Sequence, residues 1–140
     1  MLSRLSLSVT KLFQMSVRTM ASAQAFTYQD LKNTLGREDA LVIDVREPKE
    51  LEEDGKIPGA VNIPLGNVES AFLKANLEEF RQKYGVEKPG IDTLIVMSCR
   101  SGRRSESATQ MLERIGFRNV FNYEGGWLDW NKHQQEEKNK

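Results

Sequence analysis

The sequence predicts an α/β domain, a parallel sheet with helices on both of its faces. Three observations carry this. Short apolar runs alternate along the chain with segments of helical spacing. The runs at residues 40–43 and 93–98 are apolar through their middles, as expected of strands covered on both sides. The chain has 140 residues, close to one ordinary domain and long enough to bury a real core.

Each element has its own signal. Thr27, with Asp30 three residues on, reads as an N-cap opening a short helix through Leu35, which Gly36 ends. Residues 40–43 form a buried parallel strand that stops at Asp44. Residues 47–53 read as a short helical turn, stopped by Gly55. Pro58, Gly59 and Pro64 mark a loop around an extended piece at 60–63. Helical spacing then runs over 68–84 with a break near Asn76, and Pro89-Gly90 is a turn. Residues 93–98 are the most convincing strand. A helix over 103–115 follows, with Ala108, Met111, Leu112 and Ile115 on one face and Gly116 at its end. Residues 119–122 read as a last short strand and 126–133 as a closing helix. The polar residues 134–140 are expected to fray. There is no internal repeat and no low-complexity stretch.

Composition excludes several function classes. Twenty basic and 20 acidic residues cancel to a net charge of zero, so a generic nucleic-acid or membrane-surface binder is excluded. No apolar run approaches the roughly 20 residues of a membrane span. One cysteine and one histidine forbid a disulfide within the chain and a Cys/His zinc cluster, so neither a metal nor another cofactor is expected. The zero is nonetheless uneven. Arg4, Lys11 and Arg18 precede the first acid, Asp30, which leaves +3 at the start and −3 in the remainder.

Residues 1–25 hold five serines, three basic residues and no acid. Arg4, Lys11 and Arg18 share one helical face, and Leu2, Leu5, Val9, Leu12 and Phe13 form an apolar one. This pattern reads as a mitochondrial transit peptide removed between Arg18 and Ala23, with a disordered leader as the plainer alternative. Met20 offers a start for a leaderless cytosolic form. The expected organisation is thus a leader at 1–25, a domain at 26–133 and a polar tail at 134–140.

The chemistry concentrates in the segment Met97-Ser-Cys-Arg-Ser-Gly-Arg-Arg-Ser105. The only cysteine, Cys99, stands at the carboxyl end of the strongest strand and just before a helix, where open α/β sheets bind ligands. Gly102 lets the loop curl so that backbone amides approach its centre. The helix N-terminus and Arg100, Arg103 and Arg104 add positive potential. Such surroundings favour a thiolate and attract a small anion, so one loop supplies both a nucleophile and an anion cradle. The plain alternative is a structural cysteine, for which three adjacent arginines have no use. A cysteine phosphatase would need arginine at the position of Ser105. Here it comes one residue early, at Arg104, so the ring is tighter and suits a sulfur carried on the cysteine.

At this point the loop Cys-Arg-Ser-Gly-Arg-Arg-Ser resembles the active-site loop of the rhodanese family of sulfurtransferases. Upstream, Leu41-Val-Ile-Asp-Val-Arg-Glu-Pro-Lys-Glu50 and Gly55-Lys-Ile-Pro-Gly-Ala-Val-Asn-Ile-Pro64 resemble that family's first signature. Downstream, Gly116-Phe-Arg-Asn-Val120 and Tyr123-Glu-Gly-Gly-Trp-Leu-Asp-Trp130 resemble its closing one. Lys56 and Leu51 depart from the pattern, which more often has a histidine and an aromatic there; both lie outside the loop.

The resemblance implies a rhodanese-like parallel sheet of about five strands and a single-domain thiosulfate sulfurtransferase. Cys99 would take the outer sulfur of thiosulfate as a persulfide and pass it to a thiol such as glutathione, or to cyanide. The amides of residues 100–104 would hold the sulfur, and Arg100, Ser101, Gly102, Arg103 and Arg104 would bind the donor, Arg104 foremost and Arg103 least. Asp44 and Arg46 would support the loop, with an internal ion pair to Glu47 or Glu50 as the alternative. Trp127 would wall the pocket or belong to the core. His133, placed in the fraying end, is expected to be solvated. The partners implied are a small sulfur anion and a thiol. The alternative functions are a persulfide carrier or partner-binding module of the same family and, less favoured, a phosphatase or arsenate reductase.

Overall fold

The computed structural model describes residues 26–140, so the leader expected at 1–25, with its cleavage region and the Met20 start, lies outside the described residues. Helix α1 spans Tyr28–Thr34 and opens on the expected cap: the Asp30 amide donates to Thr27 Oγ1 at 3.0 Å, and the Thr27 amide to Asp30 Oδ2 at 2.9 Å. Strand β1 is Ala40–Asp44 and helix α2 is Pro48–Asp54, with its proline in the first turn, where a missing N–H costs nothing. Strand β2 is short, Val61–Asn62.

Helices α3 (Leu65–Leu73) and α4 (Leu77–Tyr84) divide at the expected break. Asn76 makes that break by accepting the Glu79 amide at 2.9 Å as an N-cap. Strand β3 (Leu94–Ser98), helix α5 (Arg103–Ile115), strand β4 (Val120–Asn122) and helix α6 (Gly126–Lys138) complete the chain.

All pairings are parallel and the order is β2-β1-β3-β4. Alternation along the strands sends side chains to two cores. Ile43, Ile95 and Met97 pack with Val68, Phe72, Phe80, Ala108 and Leu112 under α3, α4 and α5. Val42 and Val96 pack on the other face with Tyr28, Leu31, Tyr123 and Trp130, from α1 and the closing segment. The α/β fold with helices on both faces is therefore the one expected.

Three expectations change. Among the described residues the sheet has four strands where about five were implied; they are the four marked in the sequence, and the connecting residues are helix and turn. Residues 134–138 do not fray but continue α6, because α1 satisfies their polar groups. Gln134 Nε2 donates to Tyr28 Oη at 2.7 Å, and Glu137 Oε1 accepts from Tyr28 Oη at 3.0 Å and Lys32 Nζ at 3.1 Å. His133 is correspondingly not free in solvent. Its ring stacks on Tyr28 at 4.1 Å and its Nδ1 lies 2.9 Å from the Asp129 carbonyl.

The registry places the site. Asp44 is level with Asn62 on one side and Ser98 on the other, and the Val45 amide donates to the Ser98 carbonyl at 2.8 Å. The loops that follow β1 and β3 thus leave the carboxyl end of the sheet side by side.

Candidate active site

Cys99 leaves the end of β3 and is only 1% exposed. The loop behind it is shaped from outside. Its carbonyls are taken by neighbours: Cys99 O accepts the Trp127 amide at 2.8 Å, and Arg100 O accepts the Leu128 amide at 3.2 Å, both from the first turn of α6. Gly102 O accepts Asn122 Nδ2 at 3.1 Å. With the carbonyls held outward, N–H groups are left to the concave side, a nest for negative charge. The Gly102 amide donates to Cys99 Sγ at 3.0 Å.

Two glycines make this approach possible. Gly102 has φ +95° and Gly126 φ +60°, both in the left-handed region that disfavours side chains. A Cβ on Gly102 would run into the Glu124 carbonyl, and one on Gly126 would stand 2.6 Å from the Arg100 carbonyl.

Burial pushes the Cys99 thiol up. The Ser105 hydroxyl, 3.3 Å from Sγ, and the amides of Ser105, Gly102 and Ser101 oppose it and win, so the pKa falls below the ordinary thiol value. The N-terminus of α5 points at the same sulfur region and adds its dipole.

The three loop arginines separate. Arg104 grips Glu50 of α2 with both terminal nitrogens, at 2.7 and 2.8 Å, and this pulls the Glu50 carboxyl from its ordinary 4.5 down to about 2. The Cys99 and Asp44 charges also act on Arg104, in the direction that keeps it protonated. Arg100 Nη1 meets Asp54 Oδ2 at 3.1 Å, one helical turn further along α2. Arg103 is exposed and, among the described residues, makes no ion pair. Positive charge at the loop is therefore matched by two acids of α2, where sequence alone placed three arginines toward an anion.

Asp44 and Arg46 face each other rather than outside partners. Both are buried, with Arg46 Nη2 at 2.7 Å from Asp44 Oδ2 and the Arg46 amide at 3.0 Å from Oδ1. Arg46 Nη2 also donates to the Gly55 carbonyl at 3.0 Å. The alternative pairing of Arg46 with Glu47 or Glu50 is not formed, since Glu50 is occupied by Arg104. The half-buried Trp127 ring lies 5.3 Å from the Arg46 guanidinium carbon and against Gly55, where a Cβ would stand 3.0 Å from the ring. It belongs to the second core cluster, and its backbone holds the active loop. Asn62 ties the turn by donating to the Asp44 and Arg46 carbonyls at 3.0 and 2.8 Å.

Sequence reasoning missed Asp54 and Asn122, and it named Glu50 and Ser105 without the contacts they make here, Glu50 with Arg104 and Ser105 with the Cys99 sulfur. The spacing of Glu50 and Asp54, four apart on a helical turn, was the available sign that they share a face. Ser105 is fully buried with its hydroxyl on the sulfur. It brings no guanidinium to grip a phosphate, and Arg104 spends its fork on Glu50, which agrees with setting the phosphatase reading aside.

Comparison with known proteins places this geometry. The family model described as a rhodanese-like domain matches residues 27–133. A mouse protein, thiosulfate sulfurtransferase/rhodanese-like domain-containing protein 3, is 40% identical over 110 residues, which span 79% of this chain and 69% of that protein. The human thiosulfate:glutathione sulfurtransferase is 36% identical over 112 residues, 79% of this chain and 96% of the relative. Among solved structures, the human single-domain sulfurtransferase TSTD1 superposes with a TM-score of 0.71 at 32% identity, covering 77% of this chain and 95% of its own.

Proposed function

Because the chain belongs to the family of rhodanese-like domains, we propose that it is a thiosulfate sulfurtransferase whose nucleophile is Cys99. The observation that carries the proposal is the single thiol held at the end of β3 inside a ring of amide donors that lower its pKa.

In the first half-reaction the Cys99 thiolate attacks the outer sulfur of thiosulfate. The sulfur–sulfur bond of thiosulfate breaks, its electron pair leaves with sulfite, and Cys99 holds a persulfide. The amides of residues 100–104 cradle that sulfur, with the 3.0 Å approach of the Gly102 amide already formed. In the second, a thiol such as glutathione, or cyanide, takes the outer sulfur and Cys99 returns to its thiolate. This relay gives ping-pong kinetics.

The arginines take different parts. Arg104 locks α2 to the loop through Glu50 while adding its charge beside the thiolate. Arg103, exposed and outside the ion pairs of the described residues, meets the incoming dianion, while Arg100 is held at the rim by Asp54. Asp44, Arg46 and Trp127 support the turn and the loop from behind. Residues 1–25 direct the chain to mitochondria, as their acid-free, serine-rich, basic composition indicates.

Intact mass after incubation with thiosulfate tests the chemistry. Wild type gains one sulfur and Cys99→Ser gains none; an adduct that persists in Cys99→Ser, or none on wild type, overturns the assignment. A fusion of residues 1–25 to a fluorescent reporter should concentrate in mitochondria, and diffuse cytosolic signal would reject the address.

A further inference from the structure

Ser105 is fully buried, and its hydroxyl faces the reacting sulfur at 3.3 Å. Its position is fixed within the first turns of α5: the Ser105 carbonyl accepts Thr109 Oγ1 at 2.8 Å and the neighbouring Glu106 amide donates to Gly102 O at 3.1 Å. A hydroxyl can give or take a hydrogen bond, whereas a thiolate can only accept. Whenever Cys99 is ionised, Ser105 is therefore a donor to it.

Resting on the sulfurtransferase reading above, we propose that Ser105 is a catalytic residue whose main work is in the second half-reaction, stabilising Cys99 as the leaving thiolate. In that step an acceptor thiolate attacks the outer sulfur of the persulfide. The bond between the outer sulfur and Sγ breaks, the outer sulfur departs on the acceptor with the negative charge it already carried, and the electron pair comes to rest on Sγ. That is the atom 3.3 Å from the Ser105 hydroxyl.

The two half-reactions respond differently to the same hydrogen bond. As a nucleophile, Sγ gains from a larger thiolate fraction but loses intrinsic reactivity as its pKa falls, so the effects partly cancel. As a leaving group, it only gains, since a thiol of lower pKa leaves faster. Loss of the donor is thus recoverable by raising the pH in the first half-reaction and not in the second.

Ser105→Ala, with Ser105→Thr as the variant that keeps a hydroxyl, tests this by single-turnover measurements across a pH series. One measurement is loading with thiosulfate and the other is discharge of the isolated persulfide by cyanide, with thiolate absorbance recorded alongside. Ser105→Ala should raise the Cys99 pKa by about one unit, the effect expected of one lost bond to a charged acceptor. Its loading should be slowed only about threefold below that pKa, because greater intrinsic reactivity offsets part of the tenfold smaller thiolate fraction, and should reach or exceed the wild-type rate above it. Its discharge should stay slower than wild type by a constant several-fold factor at every pH, and Ser105→Thr should restore it. Discharge in Ser105→Ala equal to wild type, or recovering with pH as loading does, would overturn the proposal. Failure of wild type to load at all would instead overturn the sulfurtransferase reading, and an unchanged thiolate titration in Ser105→Ala would refute the Ser105 contact by itself.

Discussion

Glu50→Gln isolates the clamp between α2 and the active loop, because it removes a charge while keeping size and one acceptor oxygen. Arg104 holds the Glu50 carboxyl from 4.5 down to about 2, which at neutral pH corresponds to a ceiling of roughly 3 kcal/mol. The pair is partly open to water, with side chains 35% and 27% exposed, so screening brings the expected loss to about 1–2 kcal/mol. The sign follows from the direction of the shift. A carboxyl whose folded pKa is lowered contributes fully above its unfolded value and loses that contribution as pH falls toward the folded one. The difference between wild type and Glu50→Gln should therefore be full at pH 7, fall below half near pH 3, and vanish near pH 2. Urea unfolding of both proteins over that range measures it, and all other acids titrate equally in the two. A difference that stays constant between pH 7 and pH 3, or is absent at pH 7, would refute the clamp.

Three other perturbations have definite outcomes. Gly102→Ala places a Cβ against the Glu124 carbonyl at a φ of +95°, so it should cost about 1–3 kcal/mol and abolish persulfide loading, read by denaturant melts and intact mass. Arg46→Met leaves the buried Asp44 carboxylate without its cation and should cost about 3–5 kcal/mol in urea unfolding, with part recovered when Asp44→Asn is added. Deleting residues 134–140 removes the contacts of Gln134 and Glu137 with α1; the melting temperature should drop by a few degrees, whereas a frayed end would leave it unchanged.

Much of the fold was legible because its signals are local. Thr27 and Asp30 are three apart and announce α1; Asn76 divides α3 from α4 by capping the second. The apolar strands are short runs that need no partner to be recognised. The end of α6 was not legible for the opposite reason. Residues 134–138 are polar, and nothing near them in the chain shows that Tyr28 and Lys32, more than 100 positions away, would satisfy them. The count of strands taken from the resemblance likewise exceeded the four present among the described residues.

The same division runs through the site. Cys99, the tight glycine turn and the run of basic residues are contiguous, so the chain alone marked a candidate nucleophile at a strand end within a loop rich in basic residues. Which charges remain available to an anion was decided only by tertiary structure. Parallel pairing sets Asp44 level with Ser98 and brings α2 over the loop, so Glu50 captures Arg104, Asp54 captures Arg100, and Asp44 pairs with Arg46. Sequence specifies how many charges a loop carries. Their pairing depends on distances of 2.7 to 3.1 Å between residues some 50 positions apart, and Coulomb attraction at that range exists only once the sheet has formed.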